Sequence, residues 1–334
     1  MPIRLLSTVM RSEFQHPEIL DWFDRRTFGP SNPGPFKPDA GLLAELKREA
    51  GLRISVCLPA LNEQTTIGDM CTKIRVDLME GVGLVDELLV VDSGSEDDTM
   101  AVARATGAEV HRGAEIMPHM GHVMGKGEAM WKSLAVTSGD LICWCDSDIK
   151  NFNSGFVIGL LTPLLLDEDI KMSKGFYRRP LDGDPTGGGR VTELVVRPLL
   201  HLLYPKLTGL VQPLSGEYAL RRDVALELPF FTHYAVDLGL LIDLVERHGL
   251  NALAQVDLGE RIHRKQDTLS LGKMSHQIMR SVLHRLDELG RIKLTDDLSD
   301  ALVQFIPKDS GPVAVRFDQE IIERPAMANF PLQT

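Results

Sequence analysis

With 334 residues, 43% hydrophobic and 25% charged, the chain is long enough for one large α/β domain with an appendage, and too apolar to be disordered. A formal charge of -11 excludes a broad nucleic-acid groove, which needs basic surface against phosphate; basic residues set among glycines can still bind phosphate locally. No apolar run is long enough to cross a bilayer, and Met1-Pro2-Ile3-Arg4 opens no signal-peptide core, so a cytoplasmic protein with neither membrane nor nucleic-acid partners is expected.

Residues 1–50 read as a helical appendage. An amphipathic piece around Ile19 to Phe23 is followed by a proline- and glycine-rich connector over 29–38 and a second helix over 42–49. Alternation then sets in, with strands over 54–58, 87–91, 109–111 and 141–145 and helices over 65–79, 97–106 and 127–137. Short, nearly all-apolar strands separated by helices imply a mainly parallel sheet covered on both faces. Cys143 and Cys145 share the last of these strands, a poor geometry for a disulfide, so they and Cys57 and Cys71 read as reduced core thiols. Beyond residue 150 the pattern loosens. A helix over 156–166, a strand over 170–176, an arginine- and glycine-rich loop over 178–190 and a helix over 191–203 come first. A helix over 237–247, a strand over 252–258 and a long amphipathic helix over 269–294 follow.

Ligands of such sheets bind where the strands end, so the residues at those ends matter most. Pro59 stops the first strand, and Asn62 beyond it is placed to cap the next helix. Asp92 ends the second strand, suited to a ribose hydroxyl, while Ser95 or Asp97 can cap the helix behind it. Gly125-Lys126-Gly127 precedes a helix and offers close backbone approach with one positive charge, without the longer P-loop pattern. Asp146-Ser147-Asp148 follows the most apolar strand. Two carboxylates at that spacing can present oxygen to a hard divalent cation; an ordinary Asx turn is the plainer reading. Arg261-Ile262-His263-Arg264 follows another apolar strand, where a metal or diphosphate can sit.

Taken in order, these motifs resemble the nucleotide-sugar glycosyltransferases of the GT-A fold, and more narrowly the glucosyl-3-phosphoglycerate synthases and their mannosyl relatives. The resemblance runs from Ile54 to about Met279. It rests on Pro59-Ala60-Leu61-Asn62-Glu63, Asp92-Ser93-Gly94-Ser95, Gly125-Lys126-Gly127-Glu128-Ala129 and Asp146-Ser147-Asp148. Further on it includes Phe176-Tyr177-Arg178-Arg179-Pro180, the run from Gly187 to Leu194, and Gln212-Pro213-Leu214-Ser215-Gly216-Glu217-Tyr218.

The resemblance implies a GT-A, Rossmann-like α/β fold. Residues 51–150 form a nucleotide-sugar half, 151–265 an acceptor half, and 266–334 a C-terminal acceptor and dimerisation region with a homodimer contact. By the same resemblance Pro59, Ala60, Leu61, Glu63, Ser93, Lys126, Asp146 and Ser147 line the nucleotide-sugar site, and Asp148 and His263 bind the metal, Mg2+ or Mn2+. Asp148, Lys126, Asp237 and Arg261 carry catalysis. Gly189, Arg190, Val191 and Thr192 receive the phosphoglycerate, which suits backbone N–H groups and an arginine ahead of a helix. One departure is Asp237, where the family pattern often has glutamate; the shorter side chain moves its oxygen by roughly 1.5 Å and bears on donor preference.

The implied reaction transfers glucose or mannose, with retention, from a GDP- or UDP-sugar to the 2-hydroxyl of 3-phosphoglycerate. Its product would be a compatible solute or polysaccharide precursor. A nucleotide-sugar pyrophosphorylase lacks its glycine-rich signature here. A polyprenyl-phosphate glycosyltransferase is disfavoured by the lack of a membrane segment. A non-catalytic nucleotide-sugar binder would need the same strand-end residues and stays open.

Overall fold

A computed structural model describes residues 16–29, 39–179, 188–262 and 267–331. In chain order its strands are β1 (Thr27–Phe28), β2 (Ile54–Ala60), β3 (Glu87–Asp92), β4 (Glu109–Arg112), β5 (Leu141–Trp144), β6 (Met172–Arg178), β7 (Tyr218–Arg221), β8 (Phe230–Phe231), β9 (Leu253–Glu260), β10 (Ala301–Ile306), β11 (Val313–Asp318) and β12 (Glu323–Arg324). One eight-stranded sheet has the order β1-β9-β6-β7-β5-β2-β3-β4. Every neighbouring pair in it is parallel except those made by β7, which runs against both β5 and β6. This is the mainly parallel α/β architecture expected of the GT-A class.

Parallel strands need crossover connections, and the helices in these cover both faces of the sheet. All seven residues of β2 are buried. Side chains alternate between the faces, so Cys57 joins one apolar cluster while Val56 and Leu58 join the other. On the first face Trp131, Trp144, Tyr218 and Phe230 pack with the helices Lys126–Ser133, Val236–His248 and Thr268–Glu288. On the second, Leu43, Ile67 and Phe156 pack from the helices Ala40–Glu49, Ile67–Lys73 and Gly155–Leu166, and Phe152 from the loop before the last of them.

Several elements differ from the sequence reading. The stretch read as an appendage is built into the sheet edge: Thr27 and Phe28 pair with Gln255 and Val256, and the Trp22 indole donates to Leu253 O at 2.8 Å. The helix read over 65–79 becomes π-helical from Ile74 to Gly81. The long helix read to residue 294 stops at Glu288. Gly290 adopts φ +66°, a left-handed backbone that costs glycine little, and its N–H returns to Asp287 O. After it come the hairpin β10–β11 and the short strand β12, which pairs with β8. β7 and the helix Arg222–Glu227 are absent from the sequence reading, being too short to show a period.

The topology positions the site. The parallel strands finish along one edge of the sheet, and β7, running the other way, begins there. Residues preceding β7 therefore meet residues following β5 and β9.

Candidate active site

A cavity of about 650 Å³ opens at that edge. Pro59, Ala60, Leu61, Glu63, Ser93, Lys126, Asp146, Ser147, Asp148, Gly189, Arg190, Val191, Thr192, Asp237 and Arg261 all lie on its wall. Every residue that the resemblance assigns to the site is thus brought to one place, apart from His263, which lies outside the described residues; Asp92, suited by position to a ribose, is not on the wall.

At its floor sits a charged network. Lys126 opens its helix, and its Nζ reaches Asp146 Oδ1 and Asp237 Oδ1, each at 3.0 Å, and donates to Gly216 O at 3.3 Å. Arg261, immediately after β9, places Nη1 3.0 Å from Asp146 Oδ2 and 2.8 Å from Glu217 Oε1, while Nη2 donates to Asp148 Oδ1. The guanidinium is 4% exposed and Glu217 fully buried, so that pair is barely screened by solvent, while Asp146 and Asp148 keep a side open to the cavity. Burial would raise the Asp146 carboxyl, but Lys126 and Arg261 reverse this and hold it well below the usual carboxylate range. Burial likewise opposes the charge on Lys126, and Asp146 and Asp237 more than offset it, raising the ammonium above its ordinary value. Glu217 is pushed up by burial, with Arg261 opposing.

The loop before β7 makes this contact possible. A Cβ on Gly216 would stand 1.9 Å from Asp146 Oδ2, so only glycine lets the two segments approach. Tyr177 on β6 completes the frame: its phenol oxygen accepts from Arg261 Nη1 and from Arg179 Nη2, each at 2.7 Å. Glu217, Tyr177, Arg179 and Gly216 enter the sequence reading only as parts of motifs, with no role. Lys174 escapes it altogether: the strand read over residues 170–176 also carries Lys171, and the sequence does not distinguish the buried lysine from the other.

Other residues at the strand ends stitch loops together. Asp92 is fully buried, and its carboxylate accepts from Gly94 N and Ser95 N at 3.0 and 2.9 Å, which spends it on its own turn rather than on a ribose. Asn62 does not cap the following helix; its Oδ1 accepts from Glu96 N at 2.9 Å and joins the loops after β2 and β3. Ser95 also serves these loops, while Asp97 accepts from Thr99 N at the start of the next helix, as a cap would. The Ser147 hydroxyl donates to Pro59 O at 2.7 Å, tying the end of β5 to that of β2. On the opposite wall Gly189 has φ +80° and Glu193 N returns to Gly189 O, where the helical segment containing Thr192–Val196 begins.

The residues fit a hard divalent cation in part. Asp148 offers carboxylate oxygen on the cavity wall, and the exit of β9 carries the chain toward His263. No helix among the described residues is long and apolar enough to cross a membrane.

Residues 55–154 match the family model "Glycosyl transferase family 2". Glucosyl-3-phosphoglycerate synthase of Petrotoga mobilis is 45% identical over 293 residues, covering 86% of this chain and 90% of that one. The crystal structure of mannosyl-3-phosphoglycerate synthase from Rubrobacter xylanophilus superposes with TM-score 0.85 at 39% identity, over 93% of this chain and 97% of its own. That of glucosyl-3-phosphoglycerate synthase from Mycobacterium tuberculosis, in complex with Mn2+, UDP-glucose and phosphoglyceric acid, gives TM-score 0.79 at 43% identity, over 90% and 97%.

Proposed function

The chain belongs to the glucosyl-3-phosphoglycerate synthase family of glycosyltransferases, and on that premise we propose that it moves glucose from a nucleotide-diphosphate donor to the 2-hydroxyl of 3-phosphoglycerate, with retention. The observation that carries this reading is the convergence of Lys126, Asp146, Asp148, Asp237 and Arg261 on one cavity that also holds the Gly189–Thr192 segment. UDP-glucose and phosphoglyceric acid in the M. tuberculosis relative support those two substrates. Mannose is the variant that the R. xylanophilus relative keeps in view.

Pro59, Ala60, Leu61, Glu63, Ser93, Asp146 and Ser147 would hold the nucleotide, and Asp237 the sugar hydroxyls. Gly189, Arg190, Val191 and Thr192 would take the phosphate of the acceptor at a helix start, where N–H groups favour an anion. Asp148 and His263 would hold a divalent cation, Mg2+ or Mn2+, which when bound offsets diphosphate charge. As the bond from the anomeric carbon to diphosphate breaks, negative charge grows on the leaving oxygens. Lys126 and Arg261, held on the cavity wall by their carboxylate partners, would meet it. Asp146 and Asp237 are paired with Lys126, and Asp148 and Glu217 with Arg261, so none of these carboxylates is placed as a free nucleophile. That supports a front-side route: the acceptor oxygen bonds to the anomeric carbon, and its proton passes to the departing diphosphate.

By role the chain then divides as read from the sequence, with a donor half at 51–150, an acceptor half at 151–265 and a C-terminal region at 266–334. A homodimer through that region is part of the proposal. Val303 and Phe305, exposed on the β10–β11 hairpin, support it, and light scattering would test it. Four free, buried cysteines support a reducing, cytoplasmic setting. The deciding experiment offers UDP- and GDP-glucose and GDP-mannose with 3-phosphoglycerate, each with and without chelator. Turnover abolished by chelator is expected; no transfer from any donor would overturn the reading.

A further inference from the structure

Lys174 lies in the middle of β6, 1% exposed, and its Nζ makes no hydrogen bond to any described residue. A buried ammonium without such a partner is costly, so its surroundings must compensate it another way. They do so on two sides. The Tyr218 ring centroid is 4.1 Å from Nζ, within cation–π range, and Asp237 Oδ1 is 4.0 Å away. Asp237 is therefore set between two ammonium groups, Lys126 at 3.0 Å on the cavity side and Lys174 behind.

We propose that Lys174 is a positioning residue for the donor sugar, holding the Asp237 carboxylate in place while Lys126 turns its charge toward the donor diphosphate. The inference rests on the function proposed above. Lys126 has three protons and already serves Asp146, Asp237 and Gly216 O, so an arriving diphosphate competes for it directly. With a neutral residue at 174, Lys126 would be the one cation in contact with Asp237, and the diphosphate would draw that ammonium away. Lys174 separates the two tasks: one lysine answers the phosphate, and the other keeps the sugar-facing carboxylate compensated. The groups facing Lys174 are Asp237 from its helix, Lys126 from another, Tyr218 from β7, and Glu217 and Asp146 beyond them. Burial pushes the ammonium down to about 8, with Asp237 opposing, so the charged form prevails at neutral pH.

The test is a cycle of Lys174→Met, Asp237→Asn and the double variant, assayed with UDP-glucose and 3-phosphoglycerate. Methionine matches the length of lysine and suits a buried strand, and thermal melts check that each variant folds. Lys174→Met should raise the donor KM about tenfold and leave the acceptor KM within about twofold, while adding less than about twofold in the Asp237→Asn background. Wild-type kcat/KM for donor should fall above about pH 8, where Lys174 loses its proton, and the Lys174→Met profile should be flat there. Equal rises in both KM values, or full additivity in the cycle, would overturn the proposal, since a packing role predicts both. The same cycle read as UDP-glucose affinity by calorimetry decides the point even if 3-phosphoglycerate proves not to be the acceptor, so the two readings fail separately.

Discussion

Arg261 and Arg285 gather the same company and serve different ends. Arg261 pairs with Asp146, Asp148 and Glu217 and lies 5.4 Å over the Tyr177 ring; Arg285 pairs with Asp243, Glu288 and Glu323 and lies 5.0 Å over Phe231. The first cluster stands at strand ends, faces the large cavity and includes Lys126, which shares Asp146 with the arginine. The second lies in a seam, where the helix Thr268–Glu288 meets the helix Val236–His248 and β12. Even the potential ligand atoms of His284, Glu288 and Glu323, within 4.8 Å of one another, are compromised there, because Arg285 takes an oxygen from each glutamate. Charge clustering by itself does not mark a site. Room for a ligand and a second cation facing that room do.

The sharpest way to break this comparison is to remove Asp148. Asp148→Ala should lower kcat/KM at least about 10³-fold while moving stability by less than about 1 kcal/mol, measured by initial rates and chemical denaturation. Wild-type turnover in that variant would place the chemistry elsewhere. Arg285→Met should do the reverse. It strands the buried Asp243 and should cost about 3 kcal/mol of stability, with kcat at low temperature within about twofold of wild type. A folded Arg285→Met protein without turnover would dissolve the distinction drawn between the clusters. Gly216→Ala tests how finely the first cluster is set. The added methyl displaces the Asp146 carboxylate, and kcat/KM should fall about tenfold with little change in melting temperature. The smallest effect concerns pH. Burial raises the Asp243 carboxyl to about 7, with Arg285 opposing. Its folded pKa then exceeds the unfolded one, so the folded state binds more protons between about pH 4 and 7, and stability contributed here declines as pH rises through that window. Asp243→Asn should flatten that decline in melting temperature.

The legible parts of the molecule are those with a local signature. The parallel strands announce themselves as apolar runs, and Pro59, Asp146 and Arg261 can be placed at strand ends because such runs stop abruptly. Three features resist reading for a common reason: their cause is distant in sequence. β7 is four residues long, and what defines it is its antiparallel pairing with β5 and β6, strands distant in sequence. Glu217 looks like any surface acid until Arg261, far along the chain, closes over it. Asp92 has the right position for a ribose and the wrong side-chain direction, since Gly94 and Ser95 supply closer partners.

The segment around β12 has a consequence for biosynthesis. Arg324 makes a buried two-pronged pair with Glu128, the Trp131 indole donates to Pro325 O at 2.8 Å, and the Phe330 ring meets Trp131 edge-on. All three contacts brace the helix that presents Lys126. A nascent polypeptide lacks all three until residues 324–330 have been made, so the brace on this helix is the last part of it to be supplied. Proteolytic clipping just before them would remove the same three contacts from a finished molecule.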